Sequence, residues 1–108
     1  MANKITIIGA GSVGATIAYT LSLDTLATEI VLIDINTKKA DGEALDIYQS
    51  TAFRDPISVV SGDYDAAKGS SIVIITSGIA RKPGMTRLDL AKTNVGIMRD
   101  IAGKIAPV

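Results

Sequence analysis

Short runs of consecutive apolar residues alternate along this chain with longer stretches in which apolar residues recur every three or four positions. The first run, Lys4 to Ile8, predicts a short buried strand of β-branched residues, and the glycines between Gly9 and Gly14 interrupt it. From Ser12 onward, Val13, Ile17 and Leu21 fall at helical spacing, as in an amphipathic helix lying on a sheet. Glu29 to Ile35 is again strand-like, with Ile30, Val31, Leu32 and Ile33 in unbroken succession. A run apolar on both faces belongs to a parallel sheet covered on both sides.

Thr37 is placed to cap a second helix in which Ala40, Ala44 and Ile47 share one face and Lys38, Lys39, Asp41 and Glu43 lie elsewhere. Gly42 within it costs about 1 kcal/mol relative to alanine, so close packing is expected there. Pro56 precedes a weaker strand, Ile57 to Ser61, and Gly62, Asp63 and Gly69 mark loops. Ser71 to Thr76 is the most apolar strand of the chain. After a loop from Ser77 to Gly84, a last helix carries Leu90, Ile97, Ile101 and Ile105 at helical intervals until Pro107 stops it. Strands alternating with helices predict right-handed crossovers and an α/β fold with a parallel sheet.

Composition narrows the function classes. The 108 residues, 47% of them hydrophobic, are enough for one domain with a real core. Eleven basic residues balance eleven acidic ones, so no long-range field gathers a nucleic acid or an anionic membrane, and a small-molecule ligand is expected. The absence of cysteine excludes disulfides and thiolate metal sites and suits a reducing cytoplasm; no metal is expected. The opening segment up to Gly9 is too short for a signal core or a membrane span. There is no histidine, so proton transfer here needs a carboxylate, Lys or Tyr, or a residue outside these 108.

Gly9-Ala10-Gly11-Ser12-Val13-Gly14 matches the pattern G-x-G-x-x-G. Gly9 permits the tight turn out of the strand, Gly11 lets bare backbone approach a pyrophosphate, and Gly14 lets helix and strand pack closely. The helix start then offers free N–H groups and positive dipole to the phosphates. The motif alone is weak, but it follows a strand, opens a helix and is answered by Asp34, twenty residues after Gly14 at the end of the second strand. A carboxylate there accepts the hydroxyls of an adenosine ribose and repels a 2′-phosphate, which favours NAD over NADP. The competing reading, in which the glycines only turn the chain and Asp34 only caps the next helix, must explain three coincident features. Lys38 and Lys39 pull towards NADP, although first-turn lysines are ordinarily solvated. The fold expected is a doubly wound sheet of the Rossmann type. Such a domain has about six strands and only four are visible, so 1–108 is read as the N-terminal part of a dinucleotide-binding domain, a fragment or shortened chain without its substrate domain.

The segment Thr76 to Leu90 follows the fourth strand, where ligands of such folds bind, and gathers Arg81, Lys82 and Arg87 around Pro83 and Gly84. That composition suits a lid closing on an anion, and equally an exposed basic loop. The stretch closely resembles the substrate loop of the NAD-dependent lactate/malate dehydrogenase family. Gly9–Gly14, Asp34, Gly42-Glu43-Ala44-Leu45-Asp46 and Asn94 fall where that family would have them, so the resemblance covers the chain but only the front of a family member. It implies that Arg87 polarises the ketone being reduced, that Arg81 sits at the specificity position, and that Asn94 lies at the cofactor. It also implies that the catalytic histidine, its aspartate and a carboxylate-clamping arginine lie beyond residue 108, that this chain alone is inactive, and that the protein is a homo-oligomer.

Arg81 separates the branches of that family. A guanidinium closed over the methyl group of pyruvate would be a desolvated, unpartnered charge costing several kcal/mol, whereas the second carboxylate of oxaloacetate gives it a charge-assisted pair. Malate/oxaloacetate is therefore the substrate expected, with lactate as the alternative. A non-catalytic nucleotide sensor shares the glycine turn and Asp34 but has no need of the Arg81–Arg87 loop. A chain without ligand affinity would fail to bind NADH in a fluorescence titration. The strand Ser71 to Thr76 is expected at the edge of the sheet, free of charge or proline, a site for self-association.

Overall fold

A computed structural model describes residues 3–23, 27–50, 57–78 and 83–108. Its elements are β1 (Lys4–Ile8), α1 (Ser12–Leu23), β2 (Glu29–Ile33), α2 (Thr37–Ser50), β3 (Ser58–Ser61), a 3-10 turn (Tyr64–Ala67), β4 (Ile72–Ile75) and α3 (Arg87–Ile105). All strand pairs are parallel and the sheet runs β3-β2-β1-β4, the first four strands of the expected Rossmann order. Ile5 stands between Ile30 and Ile72, and Ile7 between Leu32 and Ile74.

The two faces of the sheet are buried separately, as the continuous apolar runs require. Ile5, Ile7, Ile30 and Leu32 pack against Ala18 of α1 and Ala40, Ala44 and Ile47 of α2. Ile8, Val31 and Ile33 face the opposite way, against Ala67 and Ile101, with Ile97 and Ile105 of α3 at the margin. Each such side chain contributes about 1.5–3 kcal/mol on burial, so the two central strands anchor the domain. Thr6 is the polar residue of β1 that is fully buried. The Ser70 hydroxyl donates to the Ala67 carbonyl at 2.6 Å, which leaves Thr6 to donate to Ser70, also at 2.6 Å, so the buried hydroxyl is satisfied.

Several expectations need correction. In α1 the buried residues are Gly14, Ala18 and Ser22, while Val13 is 64% exposed and Ile17 and Leu21 only flank the core. The helix lies so close to the sheet that only small residues fit beneath it. A Cβ on Gly14 would stand 1.8 Å from the Gly9 carbonyl oxygen. β2 ends at Ile33 rather than Ile35, because the Asp34 carboxylate accepts the Asn36 N–H at 2.8 Å and turns the chain out of the sheet. Ile35 is left 98% exposed. Asn36 takes the capping position assigned to Thr37, its side-chain oxygen accepting the Lys39 N–H at 3.2 Å. A Cβ on Gly42 meets nothing within 4 Å, so the close packing expected there is absent. β3 and β4 are each shorter than expected, and the 3-10 turn held by Asp63 has no periodic signal in so few residues.

The two helical glycines therefore predict opposite outcomes in urea denaturation. Gly14→Ala should lose at least about 2 kcal/mol through the clash with the Gly9 carbonyl. Gly42→Ala should be neutral or gain up to about 1 kcal/mol, since the added methyl group meets open space and the unfolded chain loses freedom. Equal effects at the two positions would contradict this account of α1.

Candidate functional site

The carboxyl ends of β1, β2 and β4 open into a cleft of about 810 Å³, a size suited to a small organic ligand. Its floor is the turn after β1. Gly9 takes φ +113°, and its N–H donates to the Ile33 carbonyl at 2.7 Å. From the other side, the Thr76 N–H and the Ser77 hydroxyl donate to the Ile8 carbonyl at 2.8 and 3.1 Å, and the Thr76 hydroxyl donates to the Gly9 carbonyl at 3.2 Å. The turn is thus clamped between its neighbouring strands. The first helical bond of α1 runs from the Ala15 N–H to the Gly11 carbonyl, 2.9 Å, so the N–H groups of Ser12, Val13 and Gly14 have no acceptor within the helix. A Cβ on Gly11 would meet nothing within 4 Å, and Gly11 lines the cleft with its backbone bare.

Asp34 lines the same cleft from the end of β2. Its Oδ2 accepts the Ala10 N–H at 2.7 Å and its Oδ1 accepts the Asn36 N–H at 2.8 Å. Each carboxylate oxygen retains further acceptor capacity, so two hydroxyls can be received alongside these bonds. Ile8, Ile33, Ile35 and Ile97 supply apolar wall.

The structure brings Gly9, Gly11 and Asp34 together on the cleft. Gly14 lies buried beneath it as a packing residue, and the Ala10 N–H is taken by Asp34 rather than offered outward. Ser12 and Val13 stand exposed at the start of α1 and are not among the residues that line the cleft. Asn94 of α3 lies behind the cleft residue Gly78, where an added Cβ would come within 3.2 Å of the Asn94 oxygen. Arg87 is the first residue of α3, exposed and outside the cleft wall; Arg81 lies outside the described residues.

The sequence reading missed several lining residues. Lys39, read as a solvated first-turn residue, borders the cleft beside Asn36. Thr76 and Ser77 had a signal, their place just after β4. Tyr64 and Asp100 had none, because only the packing of α3 over the 3-10 turn brings them to one wall. There Lys104 stands 5.9 Å from the Tyr64 ring centre and 3.0 Å from the Asp100 carboxylate. The Asp100 hydrogen bond, then its charge, raises the Lys104 pKa above the ordinary lysine value. Among the described residues no group of acidic side chains could hold a metal ion, and no helix is long and apolar enough to cross a membrane.

Residues 3–108 match the family described as lactate/malate dehydrogenase, NAD binding domain. The chain belongs to that family. L-lactate dehydrogenase of Thermoanaerobacter sp. (strain X514) is 56% identical over 106 residues, which are 98% of this chain and 34% of that protein. Among solved structures, minor L-lactate dehydrogenase of Enterococcus mundtii superposes with TM-score 0.93 at 43% identity, covering 98% of this chain and 34% of that one. Malate dehydrogenase of Archaeoglobus fulgidus, solved with NADH, gives TM-score 0.90 at 48% identity, covering 96% of this chain and 36% of its own. The chain spans about a third of the length of the curated relatives it matches. The relatives' names favour lactate over the malate branch expected from Arg81. The cofactor of this domain is NAD, and the bare backbone at Gly11, the α1 N–H groups that have no acceptor within the helix and the Asp34 carboxylate are of the kinds that suit a pyrophosphate and a ribose.

The start of α3 depends on a capping box: the Asp89 N–H donates to the Thr86 hydroxyl at 3.0 Å and the Thr86 N–H to the Asp89 carboxylate at 3.1 Å. Thr86→Ala should cost about 1 kcal/mol in chemical denaturation, while Thr86→Ser stays near neutral.

Proposed function

We propose that the enzyme containing this chain interconverts a 2-hydroxy acid and its 2-oxo acid by hydride transfer with NAD. The observation that carries the reading is the coincidence on one cleft of the bare Gly11 backbone, just before the start of α1, and the Asp34 carboxylate. The nicotinamide, when bound, accepts or supplies the hydride. The N–H groups opening α1 hold the pyrophosphate, Asp34 accepts the adenosine ribose hydroxyls, and Asn94 steadies the wall at Gly78. Arg87 polarises the substrate carbonyl, stabilising the negative charge that grows on its oxygen. These 108 residues hold no histidine, so on this reading the proton is carried by a carboxylate, Lys or Tyr of this chain or, as the family resemblance implies, by a histidine in another part of the enzyme.

The comparisons back lactate as the substrate better than malate, since the curated relatives are named L-lactate dehydrogenase. One residue favours malate. The family resemblance assigns Arg81 to the substrate-specificity position, and a guanidinium there gains a partner only from a second carboxylate. Steady-state kinetics of the full-length enzyme with pyruvate and oxaloacetate separates the readings. On the lactate reading pyruvate has the higher kcat/KM. On the malate reading oxaloacetate does, and Arg81→Gln moves the preference towards pyruvate by roughly a hundredfold, the worth of one desolvated charge pair. On either reading Arg87→Gln lowers kcat/KM for both substrates, and an Arg87→Gln enzyme of normal activity would remove Arg87 from the mechanism.

We further propose that the isolated chain self-associates through β4, whose outer edge pairs with no strand among the described residues and whose Ile72 and Val73 are exposed. Val73→Lys should shift sedimentation velocity towards monomer; a wild-type chain that remains monomeric at high concentration would refute this.

A further inference from the structure

Asp34 carries two backbone bonds that a ribose acceptor does not need. The β1–β2 ladder closes with the Gly9 N–H on the Ile33 carbonyl, and the next donor along the chain, the buried Ala10 N–H, finds the Asp34 carboxylate at 2.7 Å in place of a further strand carbonyl. The other carboxylate oxygen holds the Asn36 N–H, so one side chain ties the glycine turn to the entry of α2. A charge-assisted bond of this length is about twice as strong as a neutral one.

We propose that Asp34 is a positioning residue for the pyrophosphate turn as well as a ribose acceptor. By fixing Ala10 it fixes Gly11 and the N–H groups of Ser12 and Val13 immediately after it, the groups that the nucleotide reading assigns to the phosphates. Without an acceptor, the Ala10 N–H would be buried and unpaired, and the turn relieves that cost by rotating out of the arrangement that receives a phosphate. Ribose recognition and phosphate recognition are thereby coupled through one carboxylate. This rests on the nucleotide-binding reading of the glycine turn.

The test separates the two roles with ligands that differ only in the ribose hydroxyls. Binding of ADP and of 2′,3′-dideoxy-ADP to the full-length protein is measured by calorimetry for wild type, Asp34→Ala and Asp34→Asn, with amide exchange at Ala10 followed by NMR. Asp34→Ala should weaken both ligands by about tenfold or more, the worth of one hydrogen bond to a charged group, and accelerate Ala10 exchange. Asp34→Asn, whose single amide oxygen can still accept from Ala10, should recover much of the dideoxy-ADP affinity and an intermediate exchange rate. If Asp34→Ala weakened ADP alone and left Ala10 exchange unchanged, the positioning role would be overturned and the ribose role kept. Should Asp34→Ala not fold, wild-type values in Asp34→Asn for both dideoxy-ADP affinity and Ala10 exchange would overturn it equally. Wild-type protein that bound neither nucleotide would overturn the nucleotide reading and this inference with it.

Discussion

Everything at the cleft depends on how closely α1 approaches the turn that precedes it. The chain passes from strand to helix between Gly9 and Gly14, and the helix comes down so near its own entry that no side-chain atom fits between Gly14 and the Gly9 carbonyl. That contact sets the height of α1 above the sheet. It also explains why its buried face is Gly14, Ala18 and Ser22 and not the larger residues one position away. The same contact holds the start of α1 against the turn at the carboxyl end of β1, and a helix start carries N–H groups and a positive dipole suited to a phosphate.

Around this contact the strands act as a jig. β2 holds Gly9 through Ile33, β4 holds the Ile8 and Gly9 carbonyls through Thr76 and Ser77, and Asp34 holds Ala10. A turn of glycines has little conformational preference of its own, so its geometry has to be imposed by neighbours. The same bonds explain why the residues that shape the site come from three different strand ends. A ligand site at the reversal point of a doubly wound sheet is positioned by the ladder and not by its loop.

Cofactor chemistry and substrate chemistry are divided along the chain. The cofactor groups are built on β1, α1 and β2, elements with fully buried side chains and a fixed register. The proposed substrate groups, Arg81 and Arg87, come after β4, and Arg87 is exposed as the first residue of α3. On the proposed reading substrate preference turns on the charge of Arg81, and there the relatives' names and the chemistry of a guanidinium point in different directions.

The order of elements, the parallel sheet and the glycine turn with its answering Asp34 were legible in the sequence, because each is written in local terms: unbroken β-branched runs, three-and-four spacing, and a motif of fixed length. The same locality made Ala40, Ala44 and Ile47 readable as the inner face of α2. Tertiary structure decided the rest. Periodicity favoured Val13 as an inner residue of α1, but the interhelix-to-sheet distance set by Gly14 selected the small residues instead. Lys39, Tyr64 and Asp100 reach the cleft only because the entry of α2 and the crossing of α3 over the 3-10 turn bring distant segments to one wall. Asp34 shows both levels in one side chain. Its spacing from Gly14 announced a ribose acceptor, while its bond to Ala10, 24 residues earlier in the chain, exists only because β1 and β2 lie side by side.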